Sequence, residues 1–199
     1  MGRNIITMEQ IVFATHNKNK LEEIRSIINN YEILGLSDIG CNEEIIEDAD
    51  NIKGNAKIKA DYIKQHYGYD CFADDTGLEV SALNGAPGVY SARYAGNDCN
   101  SEHNIDLLLH NIEGATDRSA QFRTCIALRQ ADETLLFEGI VKGKILTERH
   151  GTMGFGYDSV FAPDEADGRS FAQMNADEKN AISHRGRATR LLMDYLLNQ

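Results

Sequence analysis

FADDTGLEVSALNGAPGVYSARYAG, residues 72–96, holds the densest run of unusual local chemistry in the chain. Phe72 and Ala73 read as the end of a buried strand. Asp74 and Asp75 come at once after them, and Thr76 and Gly77 break the apolar pattern. Two adjacent carboxylates repel unless a cation neutralises them or one stays protonated. A hard divalent ion such as Mg2+, which takes oxygen ligands, is the simplest neutraliser. Neighbouring side chains on a strand point to opposite faces, so one aspartate is expected to face a site and the other to brace the loop. DDTG by itself also suits an acidic turn, with Asp and Gly present for turn geometry. The segment after it is more elaborate than a turn needs. Gly85, Pro87 and Gly88 mark a shaped loop, and Tyr90, Arg93 and Tyr94 come in quick succession.

Upstream, Ile11 to Ala14 is a short apolar run and predicts a buried parallel strand. Thr15, His16 and Asn17 turn the chain, and Leu21, Ile24, Ile27 and Ile28 recur at helical spacing, predicting a helix over 18–29. Strand, polar turn and helix is the layout that aims free backbone N–H groups at an anion. Thr15, Asn17 and Lys20 would surround that helix end. The same residues also make a plain helix capped by Asn17. Residues 31–36 predict a second strand, and 40–50 are acidic and irregular. Ile52, Ala56, Ala60 and Ile63 predict a helix over 51–67, whose first turn Gly54 weakens by up to about 1 kcal/mol. Taken alone, Glu43, Glu44, Glu47 and Asp48 are a solvated acidic run and Lys59 a surface residue.

Downstream, 101–112 is an amphipathic helix with Ile105, Leu108, Leu109 and Ile112 on one face. Residues 119–129 and 134–145 are strand-like runs, and the four residues between them suggest an antiparallel hairpin with a longer loop. In GTMGFGYDSVF, residues 151–161, three glycines free the backbone, so that Phe155 and Tyr157 can present rings to a base, where stacking is worth roughly 1–3 kcal/mol. Packing in the core suits Tyr157 equally well. Residues 188–197 predict a last helix, with His184, Arg185 and Arg187 clustered just before it.

The composition sets outer bounds. At 199 residues, 42% hydrophobic and 26% charged, the chain can fill one core or two joined lobes. No run approaches the length of a membrane span. MGRNIITMEQ is too polar and short for a secretory signal, and Ile6 stands where a myristoylation motif wants Ser or Thr. Met8 is a suitable natural start, which makes residues 1–7 an N-terminal extension. Cys41, Cys71, Cys99 and Cys125 form no CxxC pair, which argues against a zinc knuckle or redox motif and for reduced thiols in a cytoplasmic protein. A net charge of −11 argues against broad nucleic-acid binding.

Three ordered blocks carry a family likeness. DDTGLEVSALNGAPGVYSARYAG, ATHNKNK at 14–20, and GFGYDSVF with EKNAISHRGRA over 154–188 strongly resemble the signature of the inosine triphosphate pyrophosphatase family, enzymes that clear non-canonical purine nucleoside triphosphates. The likeness runs from about Gln10 to the last helix. It implies an α/β fold with a long mixed twisted sheet flanked by helices, and two lobes with a central substrate cleft, all in a single domain. It implies hydrolysis of ITP, dITP and XTP to the monophosphate and pyrophosphate, with Mg2+ as cofactor and a homodimer common. Carried over residue by residue, Asp75 is the general base, and Asp74, Asp75 and Glu47 are the metal carboxylates. The nucleotide-binding loop is Thr15, His16, Asn17, Lys18, Asn19 and Lys20, with His16 given no role of its own because many members have Gly there. Lys59 and Lys179 face phosphates, Thr76 lines the site, Phe155, Gly156, Tyr157 and Asp158 form the base-side loop, and His184 and Arg185 are the base-recognition pair. The chain departs from the family pattern at Gly54 (commonly Glu), Ser159 (usually Pro) and Gln173 (commonly Glu). A related pyrophosphatase with another base specificity and a nucleotide-binding protein without catalysis are the rival readings. The three carboxylates favour the enzyme.

Overall fold

The computed structural model describes residues 8–198, so the expected extension over residues 1–7 lies outside the described residues. The strands are β1 (Glu9–Phe13), β2 (Tyr31–Leu34), β3 (Cys71–Val80), β4 (Pro87–Gly88), β5 (Ser119–Gln130), β6 (Glu133–Ile145) and β7 (Phe161–Pro163). The α-helices are α1 (Lys18–Ile27), α2 (Ile52–Tyr67), α3 (Ser101–Asn111), α4 (Ala176–Ile182) and α5 (His184–Leu197). One sheet runs in the order β2-β1-β3-β5-β6-β7, with β4 paired to β3 off that path. β2, β1 and β3 are parallel and the remaining pairings antiparallel. This is the expected long mixed sheet flanked by helices.

The sheet's two faces bury different helices. Phe13, Phe72, Ile126 and Leu128 pack against Ile24 of α1 and Leu192 and Leu196 of α5. Val12, Cys71, Ala73 and Ala127 pack against Ala56, Ala60 and Ile63 of α2. Farther along the strands, Leu78, Val80, Phe122, Val141 and Ile145 enter a third cluster with α3 and the 157–174 segment. The first two clusters make one lobe and the third makes the other. β3, β5 and β6 pass between them, and the cleft opens where they cross. No helix among the described residues is long and apolar enough to cross a membrane.

Several boundaries differ from expectation. β3 does not end at Ala73: Asp74 to Gly77 stay in the strand, and every residue from Cys71 to Val80 pairs with β5. The ladder overrides the turn preference of Asp and Gly, because interrupting a central strand would leave its backbone polar groups unpaired. The hairpin loop is shorter than expected, since Gln130 pairs with Glu133 and only Ala131 and Asp132 turn the chain. α5 begins at His184 and not at 188, capped by the Ser183 hydroxyl, which accepts from the Gly186 N–H. α4 has too few apolar positions to show a periodic stripe; its Asn175/Glu178 capping box is the signal that marks it.

Candidate active site

The alternation of β3 sorts the two aspartates. Asp74 lies on the Phe72 side, toward α1 and α5, and Asp75 on the Ala73 side, toward α2. Asp74 is 1% exposed, with Oδ1 3.0 Å from Lys20 Nζ and Oδ2 3.1 Å from Arg185 Nε. Burial pushes its carboxyl up, but Lys20 and Arg185 outweigh that and hold it well below the ordinary aspartate range. The family likeness puts Asp74 among the metal carboxylates. In this structure both its oxygens are met by cations, and it is not among the residues that line the cleft. Asp75 does line it. Its Oδ2 accepts from Asn55 Nδ2 at 3.2 Å and its Oδ1 from the Thr76 N–H at 2.9 Å. Burial raises its carboxyl above the ordinary value, with Lys59 and Lys20 pulling back and Glu47 and Asp74 adding to the rise.

Around this carboxylate the cleft has a volume of about 580 Å³, within the usual range for a ligand site. Thr15, His16, Asn17 and Lys20 line it. Asn17 caps α1, its Oδ1 accepting from the Lys20 N–H, while Thr15 Oγ1 accepts from the Asn17 N–H. Lys18 and Asn19 are exposed and do not line the cleft; by position, their backbone N–H groups at the helix start have no intrahelical acceptor. His16 ties this loop to the facing acidic segment, donating from Nε2 to the Glu43 carbonyl at 2.9 Å. Lys59 lines the cleft and pairs with Glu47 at 2.7 Å.

The 155–158 loop and α4–α5 supply a further part of the lining. Phe155 is half-buried, with the Lys179 ammonium 4.8 Å and the Arg185 guanidinium 5.6 Å from its ring centre. Tyr157 is a core residue: it belongs to the third cluster, and its hydroxyl donates to the Ser91 carbonyl at 2.8 Å. Asp158 Oδ2 accepts from the Phe155 N–H and from Lys179 Nζ, which closes the turn around Gly156. Gln173, where the family pattern suggests a carboxylate, accepts from the Ser170 N–H and caps a short turn. His184 is buried and stacked on Phe122, with ring centres 4.5 Å apart. Burial first, then Arg185 and Lys179, drive its pKa well below the ordinary histidine value, so the ring is neutral. Its Nδ1 has no partner among the described residues. Arg185 donates to Asp74, Glu23 and Thr76. A guanidinium has five N–H donors, and these contacts account for three of them.

Sequence reasoning missed three residues here. Glu23 bridges Lys179, at 2.6 Å, and Arg185, and thereby joins α1 to α4 and α5. Asn55 is the side chain that hydrogen-bonds to Asp75. Arg93 lines the cleft without an ion pair among the described residues, its guanidinium 5.3 Å from the Tyr90 ring centre. Glu23 reads as one more polar position of an amphipathic helix, and nothing in its spacing sets it apart.

Among the described residues, no three His, Cys, Asp or Glu side chains form a ready cation cage. Asp75 and Glu47 nonetheless line the same cleft beside Lys59. Mg2+ is commonly held by one or two carboxylates together with substrate phosphates, and a carboxylate pair open to the cleft suits that habit. Thr15, Lys20, Lys59, Asp75, Thr76, Phe155, Lys179, His184 and Arg185 all line this cavity, and Lys20 and Arg185 meet on the two oxygens of Asp74 beside it. Three stretches far apart in sequence thus share one wall.

Comparison with known proteins points the same way. The Ham1 family model matches residues 11–195. A dITP/XTP pyrophosphatase of Christiangramia forsetii is 57% identical over 188 residues, covering 94% of this chain and 98% of that protein. One from Flavobacterium psychrophilum is 54% identical over 190 residues, covering 95% of this chain and 100% of the other. Among solved structures, the Ham1 protein of Staphylococcus aureus superposes with a TM-score of 0.87 at 37% identity, covering 96% of this chain and 99% of that one.

Proposed function

The chain belongs to the Ham1 family, and from that premise we propose that it hydrolyses non-canonical purine nucleoside triphosphates, ITP, dITP and XTP, to the nucleoside monophosphate and pyrophosphate. The observation that carries this reading is the convergence of three separate blocks on one cleft, whose lining holds Lys20, Lys59 and Lys179 together with an aromatic ring, Phe155, beside an Arg–His pair. Lys20, Lys59 and the α1 N-terminus receive the phosphates. Asp75, whose burial raises its basicity, takes the proton from a water as the water oxygen bonds to the α-phosphorus. The bond from the α-phosphorus to the bridging oxygen breaks, and the electron pair leaves with pyrophosphate.

Asp75 and Glu47 would hold a Mg2+ ion. Bound there, it supplies charge neutralisation to the phosphate oxygens as the transition state forms. Lys59 pairs with Glu47 through Oε2 alone, which leaves Oε1 for the metal.

For the base, Phe155 offers its ring face, and Arg185 and neutral His184 offer hydrogen-bonding groups. A 6-oxo purine accepts from Arg185, whereas the 6-amino group of adenine donates and leaves a buried donor unpaired, at about 1–3 kcal/mol. We further place the chain in the cytoplasm as a homodimer of single-domain subunits. The four free cysteines fit a reducing compartment, and sedimentation velocity reads the oligomeric state.

The direct test is incubation of the protein with Mg2+ and a nucleotide panel, with identification of the phosphate product. Pyrophosphate and IMP from ITP are expected, with GTP turned over more slowly and ATP least. Stepwise orthophosphate release with IDP accumulating overturns the reading.

A further inference from the structure

We infer that Asn55 is a positioning residue: it holds the Asp75 carboxylate and the segment bearing Glu47 in a fixed relation, without neutralising either. The inference rests on the functional reading above. Asn55 stands in the first turn of α2 and is 1% exposed. Its Oδ1 accepts from the Ala49 N–H at 3.0 Å, and its Nδ2 donates to Asp75 Oδ2 at 3.2 Å. A backbone N–H can only donate, so the amide oxygen must face Ala49 and the NH2 must face Asp75. Ala49 lies two residues after Glu47. One buried amide therefore fastens both carboxylate-bearing segments of the cleft.

Gly54 fits this arrangement. A Cβ at position 54 would sit 2.5 Å from the Ala49 Cβ. The glycine that weakens the first turn of α2 is what lets the 40–50 segment come close enough for Asn55 to reach it.

The contrast between the two aspartates gives the amide its meaning. Asp74 is met by two cations, which fix its charge and close its oxygens. Asp75 accepts from a neutral amide and a backbone N–H, and among the described residues no other side chain hydrogen-bonds to it. A cation in contact there would lower the carboxylate's basicity and compete with a divalent ion. An amide orients the group and leaves its full charge available. Partners of this kind behind a metal-binding carboxylate are typically worth 10–100-fold in metal affinity or activity.

The test compares Asn55→Ala, which loses both bonds, with Asn55→Asp, which keeps the side chain's size and the bond to Ala49 but not the donor to Asp75. Four quantities are read: thermal unfolding, ITP affinity in EDTA by calorimetry, kcat, and the Mg2+ concentration giving half-maximal rate. Both variants are expected to unfold cooperatively and to bind metal-free ITP within about twofold of wild type, while kcat falls about 10–100-fold. In Asn55→Ala the half-activating Mg2+ concentration rises by a similar factor. If Asn55→Ala does not fold, Asn55→Asp carries the test alone. A folded variant with kcat within about twofold of wild type overturns the inference. So does a loss of metal-free ITP binding in parallel with kcat, which would mark Asn55 as packing only. Wild type answers for the underlying reading separately. If it yields no pyrophosphate from ITP the proposed function fails, and if it does while the variants match it, only the role of Asn55 falls.

Discussion

Asp74 and Asp75 differ by one position in sequence and should respond to the same substitution with opposite signs. Asp75 carries a folded-state pKa raised by burial, so its contribution to stability is present below the unfolded value and is lost as pH rises through the folded one. Asp75→Asn removes that penalty. We expect it to melt higher than wild type at neutral pH, with the gain shrinking as pH falls below the ordinary aspartate range, while kcat drops about 10²–10⁴-fold. Activity within about threefold of wild type would rule out both the base and the metal role. Asp74 has a depressed pKa, so its contribution is present above the unfolded value and is lost as pH falls toward the folded one. Asp74→Asn leaves Lys20 and Arg185 short of a counter-charge and should cost about 3–5 kcal/mol at neutral pH, measured by urea unfolding. Arg185 calls for a gentler change, because it also anchors Asp74 and Glu23. Arg185→Lys keeps a cation but loses the planar fork, and should lower kcat/KM for ITP more than for ATP. Equal losses on the two nucleotides would move base recognition away from this residue.

Elements with strong periodicity can be read directly from the chain. Leu21, Ile24 and Ile28 mark α1, and Ile52, Ala56, Ala60 and Ile63 mark α2, because a buried helical stripe leaves a regular apolar spacing. Interruptions are harder to read. Asp74 to Gly77 look like a turn, yet pairing with β5 carries the strand through them, and no local residue reports a partner some fifty positions away. The α5 start is hidden for a similar reason: His184 and Arg185 are polar but buried, so they do not look like part of an apolar stripe. The motif blocks name most of the site, whereas Asn55, Glu23 and Arg93 acquire meaning only from what they touch. The packing of α5 on β6 also yields a prediction. At Gly139 of β6 an added Cβ would overlap the His184 carbonyl oxygen and lie 2.6 Å from the Ala188 nitrogen. Gly139→Ala should push away the helix turn that carries His184 and Arg185, costing about 1–3 kcal/mol. Because the displaced turn carries His184 and Arg185, which line the cleft, ITP should lose more kcat/KM than the change in unfolding free energy alone implies. Wild-type stability and activity would show that the helix yields freely there.

Two lobes flank the cleft, but the β5–β6 hairpin belongs to both. Phe122, Val141 and Ile145 pack into the cluster with α3, while Ile126 and Leu128 pack with α1 and α5, and Ala127 packs with α2. Neither lobe can unravel without drawing strands out of the other. Urea unfolding should therefore be a single transition, coincident by tyrosine fluorescence and far-ultraviolet circular dichroism; the chain has eight tyrosines and no tryptophan to serve as probes. Two resolved transitions would show that the lobes fold as separate domains. The same continuity allows the cleft to be assembled from residues as distant as Thr15 and Arg185.

The path of β3 through the cleft makes the chemistry a matter of parity. Each residue of that strand belongs to one face or the other by odd or even position, and a shift of one place exchanges the faces. If a single residue were lost ahead of Asp74 without a compensating change, Asp75 would take the place now met by Lys20 and Arg185, and Asp74 would take that of Ala73 on the α2 side. Every functional group would still be present, and the composition would scarcely differ, yet the proposed base would be locked in an ion pair. Loops elsewhere in the chain can lengthen or shorten. Between Cys71 and Asp75 no change of length is neutral: an odd one changes the face, and an even one keeps the face but carries both aspartates about 6–7 Å along the strand for every two residues.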